Sequence, residues 1–288
     1  MNIKDNTAVV TGGGNGIGRA IALALAEQGA NVAVVDVELA QAQAVADDAQ
    51  ALGVHARAYA VDVRNPEAVS ALAETVWEHF GSVALLFNNA GVMGPAGPVW
   101  TVTPEDADWV LGVNVQGVLN GIRAFVPRMI AAGRRAWVVN TGSEHSLGLP
   151  HTNAHVYNAS KHAVLGLSHM LRAELPENVG VSVLCPGIVE STLWKASERR
   201  PDSHGGAVSA NAASKAAMAM GLPAEFVAEK VIEALRAEHF YILTHPHVAD
   251  IAARRSDEIA AAFAAQAPRY EGDEAYDVNA IIAKLMAR

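Results

Sequence analysis

Short runs rich in Val, Ile and aromatic residues alternate with Ala-rich stretches along most of this chain, and that alternation restricts its fold more than any other feature. "TAVVT" (7–11) is followed by a helical pattern near 16–28, "NVAVVD" (31–36) by one near 38–52, and "HARAYAVD" (55–62) by one near 66–80. "VALLFNN" (83–89) leads to a long helix near 104–131, "AWVVNTG" (136–142) to a helix near 155–175, and "VGVSVLC" (179–185) to one near 223–238. "HFYILT" (239–244) ends the series. Strands alternating with helices predict a mostly parallel sheet covered on both faces. The cores "VAVV" and "ALLF" are apolar throughout, as strands buried on both sides are. Right-handed crossovers then give a doubly wound, Rossmann-type α/β fold.

At 288 residues, 51% hydrophobic and 18% charged, the chain has the composition of a globular protein with a full core. A formal net charge of −9 argues against a nucleic-acid surface, which needs clustered Lys and Arg. The single cysteine, Cys185, excludes an internal disulfide, and its apolar surroundings predict a buried, inert thiol. No run of 18 apolar residues is long enough to span a membrane, and no apolar export segment precedes the first strand, so a cytoplasmic protein is expected.

Glycines at 12, 13, 14, 16 and 18 fall between the first strand and the first helix. There, glycine lets the backbone approach a pyrophosphate, and the helix N-terminus presents free N–H groups to it. Asp36 ends the second strand, where a carboxylate can bind adenine-ribose hydroxyls and repel a 2′-phosphate. Neither Asn15 nor Val37 supplies a basic alternative, so NAD is expected as cofactor in preference to NADP. Asp62 ends the third strand and "NNAG" (88–91) the fourth, at the same carboxyl edge of the sheet. Tyr157 and Lys161 lie one turn apart at the start of the helix after "AWVVNTG", and Ser143 lies just past that strand. A free tyrosine titrates near pH ~10, and a neighbouring ammonium favours its phenolate. Asn114 falls inside the long helix, where a polar residue needs a partner, either water or a backbone carbonyl.

Taken in order, "TGGGNGIG", "NNAG", Asn114, Ser143, "YNASK" and "CPG" (185–187) make residues 5–245 resemble the short-chain dehydrogenase/reductase family. The resemblance implies a sheet of about seven strands and a catalytic set of Asn114, Ser143, Tyr157 and Lys161. Tyr157 would be the acid/base. Lys161 would hold the nicotinamide ribose and lower the tyrosine pKa, Ser143 would polarise the carbonyl, and Asn114 would position a water. By the same resemblance Gly12, Asn15, Gly16, Ile17, Gly18, Asp36, Asp62, Val63, Asn89, Ala90 and Gly91 contact the dinucleotide. So do Tyr157, Lys161, Pro186, Gly187, Val189 and Thr192. The interval from Ser143 to Tyr157 is one residue longer than usual, which keeps Ser146 as the alternative serine.

Residues 1–245 thus read as a dinucleotide-binding catalytic domain with 190–222 as a substrate lid, and 246–288 as a C-terminal helical extension of the same domain. Ser143, His145, His151 and Trp194 are the candidate substrate contacts, and the lid's apolar residues suit a bulky, largely apolar secondary alcohol or ketone. The 11 histidines include His155, His162 and His169 at heptad spacing, too far apart on a helix for one ion, and an H-x-H pair at His245 and His247. No metal site is expected. Family resemblance implies a homodimer or homotetramer. The alternatives to an NAD(H)-dependent alcohol dehydrogenase are a lyase or isomerase on the same scaffold, and a non-catalytic NAD-binding sensor.

Overall fold

The computed structural model describes residues 1–149, 152–209 and 212–287. They divide into two compact units, Met1–Val248 and Ala249–Arg288. In the first, β1 (Thr7–Thr11), α1 (Gly16–Glu27), β2 (Asn31–Asp36), α2 (Leu39–Ala51), β3 (Ala56–Ala60), α3 (Pro66–Phe80) and β4 (Leu85–Asn88) follow the expected alternation. The next crossover carries α4 (Pro104–Leu111) and α5 (Gly117–Ala131), and leads to β5 (Ala136–Thr141). Then come α6 (His155–Glu174), β6 (Val179–Cys185), α7 (Ala212–Met218), α8 (Ala224–Ala237) and β7 (Tyr241–Leu243). All seven strands are parallel, in the order β3-β2-β1-β4-β5-β6-β7. The order reverses between β1 and β4, which opens a crevice at their carboxyl ends.

Period-two burial explains the two-sided core. Ala8 and Val10 of β1 and Val32 and Val34 of β2 pack on one face with α1, α2 and α8. Val9, Ala33 and Val35 point to the other face and join Val69, Leu72 and Val76 of α3 and Phe125 and Met129 of α5. Local signals set the helix ends. Asn65 accepts the Ala68 N–H ahead of Pro66 to start α3, and Gly81, at φ 74°, stops it.

Two elements differ from the sequence reading. The long helix expected over 104–131 is interrupted by a π-helical turn, Gly112–Gln116, which contains Asn114. The third strand stops at Ala60, so Asp62 stands beyond the ladder in a turn, where its Oδ1 accepts the Arg64 N–H. The described residues of 190–222, the segment expected as a lid, fold into the 3-10 turns Leu193–Arg199 and Asp202–His204 and helix α7. The second unit holds most of α9 (Val248–Gln266), a 3-10 turn Asp273–Tyr276 and α10 (Val278–Met286), whose first turn is capped by Asp277. No described helix is long and apolar enough to cross a membrane.

Candidate active site

A cavity of about 370 Å³ lies at the carboxyl edge of the sheet. It is walled by the glycine turn, the ends of β2, β4, β5 and β6, the start of α6 and the lid. Gly12 has φ 62°, and a Cβ there would lie 2.8 Å from Ala90 Cα. A Cβ on Gly18 would lie 2.1 Å from the Gly12 carbonyl oxygen, so α1 can start against the turn only with glycine at that position. The turn is tied to β4 through Asn89, whose Nδ2 donates to Thr11 O at 3.1 Å and whose N–H donates to Thr11 Oγ1 at 2.9 Å. Asn15, the residue before α1, accepts the Thr192 hydroxyl at 2.9 Å and so joins the glycine turn to the lid.

The acidic groups occupy the other stretch of the wall. Asp36 is buried; its Oδ2 accepts the Gly14 N–H at 3.0 Å and its Oδ1 the Glu38 N–H at 3.1 Å. Each oxygen keeps further acceptor capacity for a ribose hydroxyl. Asp62 pairs with Arg64 at 2.6 Å. Its pKa is lowered, the net of burial, which raises it, and of Arg64 hydrogen bonds and charge, which prevail. A cradle that no Cβ would fit and a strand-end carboxylate with spare acceptor capacity suit a nicotinamide dinucleotide.

The β5–α6 connection brings Ser143, Tyr157 and Lys161 to the same cavity. Desolvation pushes the Tyr157 phenol above the usual tyrosine range; a hydrogen bond with Ser143 works the other way, and the Glu144 charge adds to the rise. The lowering expected from Lys161 is not what opposes burial here; the group that works against the rise is Ser143. Lys161 Nζ donates to Thr141 O at 2.8 Å and lies 5.6 Å from the Tyr157 ring centroid. Burial pushes its pKa down to about 8. Asn114 does not line the cavity. It is buried behind it, where Nδ2 donates to Val92 O and Ser160 Oγ, each at 3.0 Å, and Oδ1 accepts the Val92 N–H at 2.8 Å.

The expected cofactor contacts from Gly12 through Thr192 all line this cavity. Ser146 does not; its hydroxyl donates to Lys161 O at 2.7 Å, so of the two candidate serines Ser143 is the one at the site. His145 lines the cavity, stacked edge-on to Tyr157, with Nδ1 3.0 Å from Asn158 Nδ2. His151 lies outside the described residues. Trp194 is not part of the wall; the Lys195 and Lys215 ammonium groups lie 5.1 and 5.3 Å from its ring. Leu193 and Met218 represent the lid instead. Sequence reasoning missed Glu144, a buried carboxylate beside Ser143, and Arg64, for which the Asp-x-Arg spacing was the available signal. Cys185 is buried, and desolvation pushes its thiol up to about 12. Among the described residues no three His, Cys, Asp or Glu side chains gather as metal ligands.

A dinucleotide cradle sharing one cavity with a tyrosine, a serine and a lysine is the arrangement of a nicotinamide-dependent oxidoreductase. The chain belongs to the short-chain dehydrogenase/reductase family: the family model for short chain dehydrogenase matches residues 6–202. It is 36% identical over 247 residues to 1-deoxy-11-beta-hydroxypentalenate dehydrogenase from Streptomyces exfoliatus, covering 85% of this chain and 85% of that one. It is 32% identical over 254 residues to C alpha-dehydrogenase from a Sphingobium species, covering 86% of this chain and 83% of that one. Among solved structures, a Burkholderia phymatum short chain dehydrogenase/reductase in complex with NAD superposes with a TM-score of 0.86 at 37% identity. That match covers 91% of this chain and 96% of the other.

Proposed function

We propose that this enzyme interconverts a secondary alcohol and a ketone with NAD(H), with Tyr157 as the acid/base and a bulky, largely apolar substrate. The observation that carries this reading is the meeting of Tyr157, Ser143 and Lys161 with the glycine turn and Asp36 around one cavity. Met93, Trp109, Leu193 and Met218 give that cavity an apolar wall suited to such a substrate. The two named relatives are dehydrogenases, and the name of the first gives a hydroxyl-bearing substrate.

Bound nicotinamide supplies the hydride chemistry. The protein supplies the proton step. In oxidation Tyr157 Oη takes the substrate hydroxyl proton, and in reduction it gives that proton to the carbonyl oxygen. Burial works against the ionised phenol, so the Ser143 hydroxyl and the Lys161 ammonium have the task of stabilising it. With its pKa pushed down to about 8, Lys161 is still mostly charged at neutral pH. Ser143 is also placed to donate to the substrate oxygen.

Asp36, with Glu38 beside it, supports NAD over NADP. The two arginines on this stretch of wall are already engaged: Arg64 with Asp62 at 2.6 Å and Arg199 with Glu38 at 3.5 Å. A homodimer or homotetramer working in the cytoplasm completes the proposal, and light scattering tests the assembly. The test of function is reduction of NAD+, followed by absorbance, over a panel of aromatic and alicyclic secondary alcohols, with NADP+ as comparison. Tyr157→Phe should keep NADH binding and lose at least ~100-fold in kcat. Turnover that survives in the Phe variant overturns the role given to Tyr157.

A further inference from the structure

The H-x-H pair at His245 and His247 takes no part in the chemistry above, yet each imidazole touches a residue that lines the cavity, Gly187 and Glu144 respectively. The β6–β7 ladder ends at Cys185 and Leu243. Beyond it the chain runs through Pro186, Gly187 and Ile188, all of which line the cavity. Proline has no N–H to offer a ladder. The turn's remaining polar groups are paired from elsewhere, Ile188 O in part by the Leu222 N–H at 3.0 Å.

His245 supplies the Gly187 N–H with its acceptor and gives Ile188 O a second contact. Its Nδ1 accepts the Gly187 N–H at 3.0 Å, and its Nε2 lies 3.1 Å from Ile188 O. One nitrogen accepts and the other donates, so the ring is the neutral Nε2–H tautomer, assigned from these partners. The Thr244 hydroxyl, 2.8 Å from Nδ1, adds a further contact that holds the ring plane. The single imidazole thus does for the turn what another strand residue would do, pairing successive backbone groups. The fit is tight: a Cβ on Gly187 would lie 2.8 Å from both His245 Cγ and Glu144 Oε2. Glu144 is held in turn by His247, with Nε2 to Oε2 at 3.2 Å, and its own N–H donates to Pro186 O at 2.8 Å. Hydrogen bonds to neighbouring groups therefore account for the H-x-H pair without a metal.

We propose that His245 is a positioning residue that fixes the Pro186–Ile188 turn in the shape that receives the nicotinamide half of the dinucleotide. The inference rests on the dinucleotide reading of the cavity. It separates the two halves of the cofactor: the adenosine half meets the glycine turn and Asp36, which His245 does not touch.

The test compares wild type with His245→Phe, which keeps a flat ring and removes both hydrogen bonds, and His245→Asn, which restores an acceptor near the Nδ1 position. Three quantities are measured on each protein: the Kd for NADH by fluorescence, the Kd for ADP-ribose by calorimetry, and the Tm without ligand. His245→Phe should raise the NADH Kd about tenfold, the loss expected from removing one or two net hydrogen bonds. It should leave the ADP-ribose Kd within about twofold, and His245→Asn should recover part of the NADH affinity. An unchanged NADH Kd in the Phe variant overturns the inference. So does an equal loss for both ligands, which would make His245 a general support of the fold. Failure of the wild type to bind NADH overturns the dinucleotide reading itself, and the inference with it.

Discussion

Lys161 is a buried ammonium that donates to a backbone carbonyl, Thr141 O at 2.8 Å, and that arrangement should be visible as a pH dependence of stability. Desolvation moves its pKa in the fold from 10.5 down to about 8. Below pH 8 both the folded and unfolded chains carry the proton, and the fold bears the whole penalty of burying the charge. Above pH 10.5 both are neutral and the penalty is gone. Between these limits the unfolded chain binds more protons than the folded one, so stability rises with pH. The slope is about 1.4 kcal/mol per pH unit, and the full rise about 3 kcal/mol, or about 6 °C in Tm for a chain of this length.

Other groups titrate in the same range with the opposite sign. Cys185, pushed up to about 12, and Tyr157, also raised, lose stability for the fold once their unfolded counterparts ionise. The measurement is therefore a difference. Urea unfolding of wild type and Lys161→Met is followed from pH 7 to pH 10.5 without ligand. Met keeps the length of the side chain and removes the titration; the loss of a donor to Thr141 O is the same at every pH and shifts the whole curve. Wild type should gain on the variant by about 3 kcal/mol across the window. Parallel curves would refute the claim that burial suppresses the charge on Lys161.

Three further outcomes are expected. Asp36→Ala should weaken NAD+ by about 10- to 100-fold in kcat/KM, the worth of hydrogen bonds to a charged acceptor, and narrow the gap to NADP+ in steady-state assays with both cofactors. Asp106→Asn should lower stability by about 3–5 kcal/mol in urea unfolding, because it leaves the buried Arg200 guanidinium without its counter-charge; the pair is close, Nη1 to Oδ1 at 2.6 Å, but too bent for a hydrogen bond, so Coulomb attraction carries it. Asn114→Leu should cost about 2–5 kcal/mol by the same assay as well as activity, since it strands the Val92 N–H and C=O.

The sheet was legible because each strand carries its own signal. "VAVV" and "ALLF" are apolar on both faces, and the helices between them have one apolar side. The glycine turn was legible because sterics leave so few residue types at Gly12 and Gly18. Other features had no local signal. A π turn inserts one residue into a helix without disturbing its hydrophobic pattern much, so 104–131 reads as continuous. Glu144 looks like any loop acid, because its partner His247 is 103 positions away and meets it only through the β5–β6–β7 order. Trp194 has the composition of a pocket residue, but its ring takes cation–π contacts from Lys195, its sequence neighbour, and from Lys215, which sequence distance conceals.

Asn114 shows why the one irregular turn in that crossover falls where it does. Its amide can make at most two donor and two acceptor contacts. Both N–H bonds are used, on Val92 O and Ser160 Oγ, and one Oδ1 lone pair is used on the Val92 N–H. The side chain thus pairs the backbone after β4 as a neighbouring strand would, and through Ser160 it is anchored to α6 one residue before Lys161. A regular helix would hold its own carbonyls in i to i+4 bonds along the whole run; the π turn widens the helix over Gly112–Gln116, the segment that carries Asn114. One acceptor position on Oδ1 stays unassigned, and a Cβ on Gly91 would lie 3.5 Å from both Oδ1 and Lys161 Nζ. The residue therefore has a structural duty that consumes three of its four bonds, and that duty ties the backbone after β4 to α6 beside the cavity.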